Sequence, residues 1–409
     1  MPRARLSRNG RRSAPAKVGL ALAGGGPGGA IYEIGALRAL DEALEGLDLN
    51  DLEIYVGVSA GAFLCANLAN QLTPAQMARA IVKTEPGEHP FVPETFFTPA
   101  LHEMLRRSAN VPRLLGQALW DFARHPGDRR LIESLTRLAR ALPVGLFDNQ
   151  PVREYLETIY SMKGRTDDFR LLEHRLVVVA ADLESGQAVC FGEPGLDHVP
   201  ISRAVQASAA LPGLYPPVEI DGRHYVDGVL LKTLHASAAL DAGADLVLCV
   251  NPIVPVDMVR AVAEGSYRSG HLVDSGLPTV MSQTFRTLIH SRMAMGMANY
   301  ARKYKHADVV LLEPQRDDYR MFFTNIFSFS ARRAVAAHAY QATRDELLRR
   351  KDELGPLLAR HGIRLRLEVL EDPSRDLWSG VGLGPGQKST PEVVRDLERA
   401  LSRLEEAIG

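Results

Sequence analysis

The hydrophobic positions of the chain alternate between short continuous runs and longer stretches with helical spacing. The runs 17–23 and 52–59 are apolar and short, as buried strands are, and each precedes a stretch in which apolar residues recur every three or four positions. An Asp221–Gly222 pair predicts a hairpin. Strands that alternate with helices favour parallel pairing through right-handed crossovers. The pattern therefore predicts an α/β fold around a mostly parallel sheet. Further strand-like runs lie at 174–192, 244–252 and 307–314.

Two stretches depart from this alternation. Residues from about 86 to 145 are rich in arginine and have helical spacing without a strand, which fits either a helical layer on the sheet or a cap over an apolar site. Residues 346–409 predict a helix, a strand at 363–370 and a last helix after a glycine-rich linker. The predicted parts are thus a basic flexible arm at 1–16, an α/β domain at 17–345 that holds the insert, and a C-terminal extension. The candidate cap contacts of the insert are Leu114, Leu115, Leu119 and Trp120.

Composition limits the location and partners of the protein. The chain is 46% hydrophobic and 24% charged, with a net charge of -1, so it gives no reason to expect a nucleic-acid partner. The first seventeen residues hold only cationic charges, which is typical of a solvated tail, with contact to a membrane surface as the alternative.

The apolar run Val18–Ala23 is too short for a secretory signal, and no run reaches the ~18 residues of a membrane span. Three cysteines in apolar surroundings indicate free thiols of a reducing compartment. We expect a cytoplasmic protein and leave its oligomeric state open.

A glycine-rich stretch follows the first predicted strand. Gly24, Gly26 and Gly29 satisfy G-x-G-x-x-G, but a dinucleotide site needs an acidic residue at the end of the second strand, where this chain has Val58–Ser59. No Gly-Lys-Ser/Thr follows, which excludes a P-loop. What remains is a row of backbone amides at the start of a helix, which suits the oxyanion of an acyl transfer.

Residues 57–61, Gly-Val-Ser-Ala-Gly, match the pattern of a strand that ends, a serine in a sharp turn and a helix that begins. Taken alone, the pattern fits a small residue in a turn equally well. However, the glycine loop and the Ser59 turn follow successive parallel strands, whose carboxyl ends lie at one edge of the sheet. We therefore expect the two loops to face each other, which would form half of an acyl-transfer site.

Three further stretches complete a resemblance. They are "GLFDNQPVREYLE" at 145–157, "ASAALPGLYPPV" at 207–218, and Asp227–Gly228. Together with the two loops, and in this order, they resemble the patatin-like phospholipase family over roughly residues 17–240. The resemblance implies a three-layer sandwich with a helical insert, and a Ser-Asp dyad that hydrolyses phospholipid or acylglycerol esters at a membrane surface without cofactor or metal. It makes Ser59 the nucleophile and Asp227 the base. It assigns Gly24, Gly25, Gly26, Gly28 and Gly29 to the oxyanion hole, and Gly57 and Gly61 to the nucleophile elbow.

Two positions depart from the family pattern, and two other functions stay open. Gly28 stands where the family usually has a cation, and Val229 follows the Asp-Gly pair in place of glycine or alanine. One alternative is a lipid-binding or scaffolding protein without turnover. The other is a serine hydrolase that uses a histidine base, for which the candidates are His224, His235 and His271.

Overall fold

The computed structural model describes residues 16–83, 98–100, 144–263, 272–315 and 329–379. Most of its strands form one eight-stranded sheet in which β11, β10, β1, β3 and β6 run parallel, while β7 and β9 pair antiparallel with β6, and β8 pairs antiparallel with β9. The strands are β1 Val18–Leu22, β2 Leu44–Glu45, β3 Ile54–Val58, β4 Thr98–Pro99, β5 Phe147–Asp148, β6 Arg175–Asp182, β7 Ala188–Phe191, β8 Val218–Ile220, β9 Arg223–Asp227, β10 Leu246–Val250, β11 Asp308–Leu312 and β12 Arg364–Leu365.

Helices cover both faces of the sheet. Side chains alternate along a strand, so Leu20 and Leu22 of β1 pack into one apolar core while Ala21 packs into a second core on the opposite face. Such double burial explains why the parallel strands are continuous apolar runs. The predicted three-layer α/β architecture is confirmed. The helices are α1 Gly26–Ala43, α2 Ala60–Ala69, α3 Pro74–Met77, α4 Gln150–Tyr160, α5 Ile201–Ser208, α6 Ala236–Asp241, α7 Met258–Ala263, α8 Leu277–Lys303, α9 Phe329–Arg349, α10 Lys351–Arg360 and α11 Leu367–Leu370.

Strand β6 joins two distant parts of the chain along one of its edges. β3 pairs with β6 so that Val58 lies opposite Val179, and β7 also pairs at Val179, so β3 and β7 occupy opposite edges. β7 and β9 both pair with β6 at Ala180, so they also occupy opposite edges of β6. β9 therefore lies on the same edge of β6 as β3. Since β9 is antiparallel to β6, it runs towards the end of β3, and Asp227 lies opposite Ala180. The ends of β3 and β9 therefore meet.

The C-terminal elements pack on the first helix. The boundary predicted at residue 345 falls inside the continuous helix α9, which lies against α1. Arg344 of α9 is buried and donates hydrogen bonds to the carbonyls of Val369 and Asp372, at 2.8 and 2.7 Å. Residues on both sides of the predicted boundary thus share one core with the sheet.

The strand predicted at 363–370 is mostly wrong. Only Arg364–Leu365 pairs with another strand, and Leu367–Leu370 is helical. The partner strand β2 is two residues long, so the ladder cannot extend, and the chain instead turns to bury Val369 and Leu370.

Several predicted segments lie outside the described residues. They are almost all of the basic arm, the greater part of the insert at about 86–145, including its four candidate cap contacts, and the last helix. Among the described helices, none combines the length and apolar character needed to cross a bilayer. Cys65, Cys190 and Cys249 are free thiols, and two of the three are buried.

Candidate active site

Ser59 occupies a sharp turn between β3 and α2. Its φ is 53° and its ψ is -120°, a backbone conformation that is costly for a residue with a side chain. A Cβ on Gly57 would lie 2.4 Å from Ala62 Cα, and one on Gly61 would lie 2.4 Å from the Leu22 carbonyl oxygen. Both flanking positions are therefore restricted to glycine by backbone that surrounds them.

A serine that the sequence reasoning did not select holds this turn in place. The Ser59 amide donates to Ser208 Oγ at 2.8 Å, and Ser208 Oγ in turn donates to the Val179 carbonyl at 2.6 Å. Two residues further on, the Ala210 carbonyl accepts a hydrogen bond from the Asp227 amide at 2.9 Å. The stretch "ASAAL" thus positions the backbone of both Ser59 and Asp227.

Asp227 reaches Ser59 at the end of β9. Its carboxylate lies beside the Ser59 hydroxyl and accepts a hydrogen bond from the Val229 amide at 2.9 Å. The side chain is buried, and loss of solvation raises the pKa of Asp227 to about 7, although the Val229 amide and the Ser59 hydroxyl act to lower it. A carboxylate of that pKa is suited to accept a proton near neutral pH.

The glycine loop faces the serine directly. A Cβ on Gly24 would lie 3.2 Å from Ser59 Cβ, so a side chain there would fill the gap between the two loops, and one on Gly25 would collide with Pro252 Cγ at 2.7 Å, in the segment that follows β10. Gly26 has a φ of +59° and begins α1. The expected proximity of the two loops is present because β1 and β3 are parallel neighbours.

The loop amides are not equivalent as donors. The Gly24 amide donates to the Thr233 carbonyl at 3.3 Å, and the Gly29 amide donates to the Gly25 carbonyl at 3.0 Å. Within the described part of the chain, the amides of Gly25, Gly26 and Gly28 have no protein acceptor. These three are the candidates for binding an oxyanion, because the first amides of a helix have no partner within it.

Two histidines of the alternative mechanism, His224 and His235, are described, and neither lines the site of Ser59. His224 is half exposed and pairs with Glu184 at 2.9 Å. His235 is buried, and desolvation lowers the pKa of its imidazole to about 3. Neither side chain lines the cavity above Ser59, and His271 is outside the described residues.

A cavity of about 890 Å³ lies above Ser59 and Asp227. Its walls are mainly apolar and come from α1, α2, the 205–215 stretch and α8, and its size is that of a site for a drug-sized or lipid-like ligand. Within the described ranges, no group of three or more His, Cys, Asp or Glu side chains is placed to hold a metal ion. The apolar residues of the wall include Ile31, Phe63, Val205, Leu211, Met281, Phe285 and Ile289.

The family model of patatin-like phospholipases matches residues 20–240, slightly more than half of the chain. The chain belongs to the patatin-like phospholipase family. The matched segment contains the glycine loop, the serine turn, "ASAAL" and Asp227.

Individual relatives of this patatin-like protein are distant. Uncharacterised NTE family proteins of Mycobacterium tuberculosis and Mycobacterium bovis are 37% identical over 73 residues, and the chain spans about a fifth of their length. Among solved structures, VipD from Legionella pneumophila has a TM-score of 0.32 at 16% identity, over 62% of this chain and 53% of VipD. The type III effector ExoU of Pseudomonas aeruginosa has a TM-score of 0.34 at 16% identity, over 82% of this chain and 53% of ExoU.

Proposed function

We propose that this patatin-like protein hydrolyses carboxylic esters of lipids through Ser59 and Asp227. The observation that carries the proposal is that a buried aspartate lies beside a serine in a costly turn, on the floor of an apolar cavity. An acyl chain would fill the cavity, and the ester carbon would lie beside Ser59. Phospholipids and acylglycerols are the substrate classes that such a cavity admits.

The reaction proceeds in two balanced steps. In the first, Asp227 accepts the hydroxyl proton while Ser59 Oγ attacks the ester carbonyl, and the oxyanion binds the amides of Gly25, Gly26 and Gly28. Collapse of the intermediate breaks the ester C–O bond, and Asp227 returns the proton to the departing alcohol. In the second step, Asp227 accepts a proton from water as the water attacks the acyl carbon, and Asp227 returns that proton to Ser59 Oγ as the bond between the acyl carbon and Oγ breaks, which releases the acid and restores Ser59.

Labelling and turnover test the proposal together. We expect a fluorophosphonate probe to modify Ser59, and p-nitrophenyl esters and labelled phospholipids to be hydrolysed. Ser59→Ala should abolish both signals, and mass spectrometry locates the adduct. Hydrolysis that persists in folded Ser59→Ala, or an adduct on another residue, would contradict the assignment of the nucleophile. A folded wild-type protein that binds lipid without turnover would instead support the scaffolding alternative.

We also propose that the protein acts at a lipid surface, with α8 facing that surface. Supporting this, four apolar side chains of α8 line the cavity and are nevertheless well exposed; they are Leu277, Met281, Phe285 and Leu288. Exposed apolar side chains around the mouth of a cavity are typical of sites that meet a membrane. A substrate would then pass from the lipid surface into the cavity without crossing water.

A further inference from the structure

The charged side chains of the cavity wall are unevenly distributed. Among the described lining residues, the only acidic one is Asp227, which is engaged with Ser59, while Lys232, Arg286 and Arg292 are cationic. Like charges on the wall of an apolar cleft concentrate counter-ions there. The cavity therefore favours a ligand that carries negative charge as well as an apolar chain.

Two of these cations, Lys232 and Arg292, are exposed at the rim of the cavity. Arg292 of α8 donates through Nη1 to the carbonyls of Leu230 and Leu231, at 2.6 and 3.5 Å, which brings its guanidinium beside the backbone that continues into Lys232. Both side chains are exposed. Arg286 differs, since it is more buried and donates to the Val254 carbonyl at 3.2 Å.

The two rim cations have donor capacity to spare. No acceptor for the Lys232 ammonium, or for Nε and Nη2 of Arg292, occurs in the described part of the chain, although a guanidinium carries five N–H donors. Helix α8 has no Asp or Glu along its 27 residues, and Asp241, which interacts electrostatically with Lys232, already accepts hydrogen bonds from Lys303 and Tyr304, at 3.1 and 2.6 Å. A phosphate or carboxylate that enters the cavity mouth therefore meets unused donors on both residues.

We propose that Lys232 and Arg292 form an anion-binding subsite at the mouth of the cavity, which holds the phosphate or other anionic group of a lipid while its acyl chain occupies the apolar interior. The subsite rests on the proposed function for its substrate, but its binding can be measured without turnover. It would give the enzyme a preference for anionic lipid esters over neutral ones.

Binding is tested in folded Ser59→Ala protein by calorimetry with n-dodecyl phosphate, the neutral n-dodecyl maltoside and inorganic phosphate. We expect the double variant Lys232→Gln/Arg292→Gln to bind dodecyl phosphate at least tenfold more weakly than the parent protein. Its affinity for dodecyl maltoside should be unchanged. Arg302→Gln is the matched control, because Arg302 is an exposed cation of the same helix that does not line the cavity. Arg292→Lys should recover part of the loss.

Three binding results would overturn the subsite. The first is that the double variant loses affinity equally for both detergents. The second is that the wild-type protein binds dodecyl phosphate no more tightly than dodecyl maltoside. The third is that it binds inorganic phosphate as tightly as dodecyl phosphate. The last would mean that the site takes a free anion and not a lipid headgroup.

Kinetics separates the subsite from the proposed function. With short-chain monomeric lipids, the double variant should raise KM at least tenfold for an anionic phosphoglyceride and change it less than twofold for a diacylglycerol. If Ser59-dependent hydrolysis is absent while the binding pattern holds, the proposed function fails and the subsite stands. If hydrolysis is present but the two KM values rise together, the subsite fails and the proposed function stands.

Discussion

The proton affinity of Asp227 sets the pH range in which the proposed dyad can act. A general base works only when deprotonated, and burial raises the pKa of Asp227 to about 7. We therefore expect kcat/KM for a neutral ester to rise about tenfold per pH unit below 7 and to level off above it. A profile that levels off below pH 5 would contradict the assignment of Asp227 as base. Asp227→Asn should lower kcat by roughly 10²–10⁴-fold.

The same raised pKa makes folding stability fall with pH, whereas catalysis is expected to rise with pH. Because the pKa of folded Asp227 exceeds its ordinary value of 3.8, its contribution to stability is full below that value and is lost as the pH rises through about 7. Asp227→Asn removes this loss. The variant should therefore gain free energy of unfolding relative to wild type at pH 8 but not at pH 4, which separates lost catalysis from lost folding.

Ser208 is expected to act on catalysis through the backbone of Ser59. Ser208→Ala leaves the buried Ser59 amide and Val179 carbonyl unpaired, at a cost of about 1–3 kcal/mol each. We expect kcat to fall roughly tenfold or more, with KM little changed. Ser202→Ala is the matched control: Ser202 is buried in the same helix and donates to Asp167 at 2.7 Å, away from Ser59. Ser202→Ala should lower the free energy of unfolding without lowering kcat. A fall in kcat equal to that of Ser208→Ala would contradict the role of Ser208.

At the scale of elements, one glycine fixes how closely α1 and α9 pack. A Cβ on Gly35 would lie 2.3 Å from the Ala336 carbonyl oxygen, so Gly35→Ala must separate the two helices. We expect a loss of about 1–3 kcal/mol in urea denaturation. Gly296→Ala is the control, because Gly296 lies inside helix α8 with open space around it and should gain roughly 0.5–1 kcal/mol. Equal stability of the two variants would mean that α9 packs loosely.

The sequence predicted the elements better than it predicted how they meet. Apolar runs located β1, β3 and β6 to within two residues, because a strand buried on both faces leaves a strong local pattern. No local sequence pattern predicts that β9 pairs with the same edge of β6 as β3. The prediction that Asp227 meets Ser59 therefore came from the family resemblance alone. Ser208 was part of a recognised stretch, yet its hydrogen bond to the Ser59 amide depends on backbone brought together from far apart.

At the scale of the whole molecule, the exposed apolar side chains of α8 should direct the protein to membranes. Replacing Leu277 and Leu288, which are 72% and 56% exposed, by Asp should weaken sedimentation with anionic vesicles, since each leucine transferred from water contributes about 1.5–3 kcal/mol. The control is Leu171→Asp. Leu171 is also 72% exposed, but it precedes the start of β6, at the amino ends of the parallel strands, whereas the cavity lies at their carboxyl ends. Equal binding by both variants would mean that α8 does not face the lipid.

The cationic rim shows the limit of sequence reasoning at this scale. Lys232 and Arg292 are sixty positions apart and belong to no motif, so only the folded chain brings them to one mouth. The resemblance drew attention to the missing cation at Gly28, whereas the charges of the cavity wall come from elements that follow Asp227. The insert at about 86–145 stays a prediction.

The shared edge of β6 also has a consequence for how the chain folds. Ser59 and Asp227 come together only when β3 and β9 have both paired with β6, and these contacts close loops of very different length. Non-local strand pairing is slow, because the entropy of closing the loops must be lost before the contacts form. During refolding, a fluorophosphonate probe would therefore find no reactive serine in a chain that has collapsed but has not completed this strand pairing. The order of events along one strand edge would then make serine reactivity a late marker of folding, acquired after most helical structure has returned.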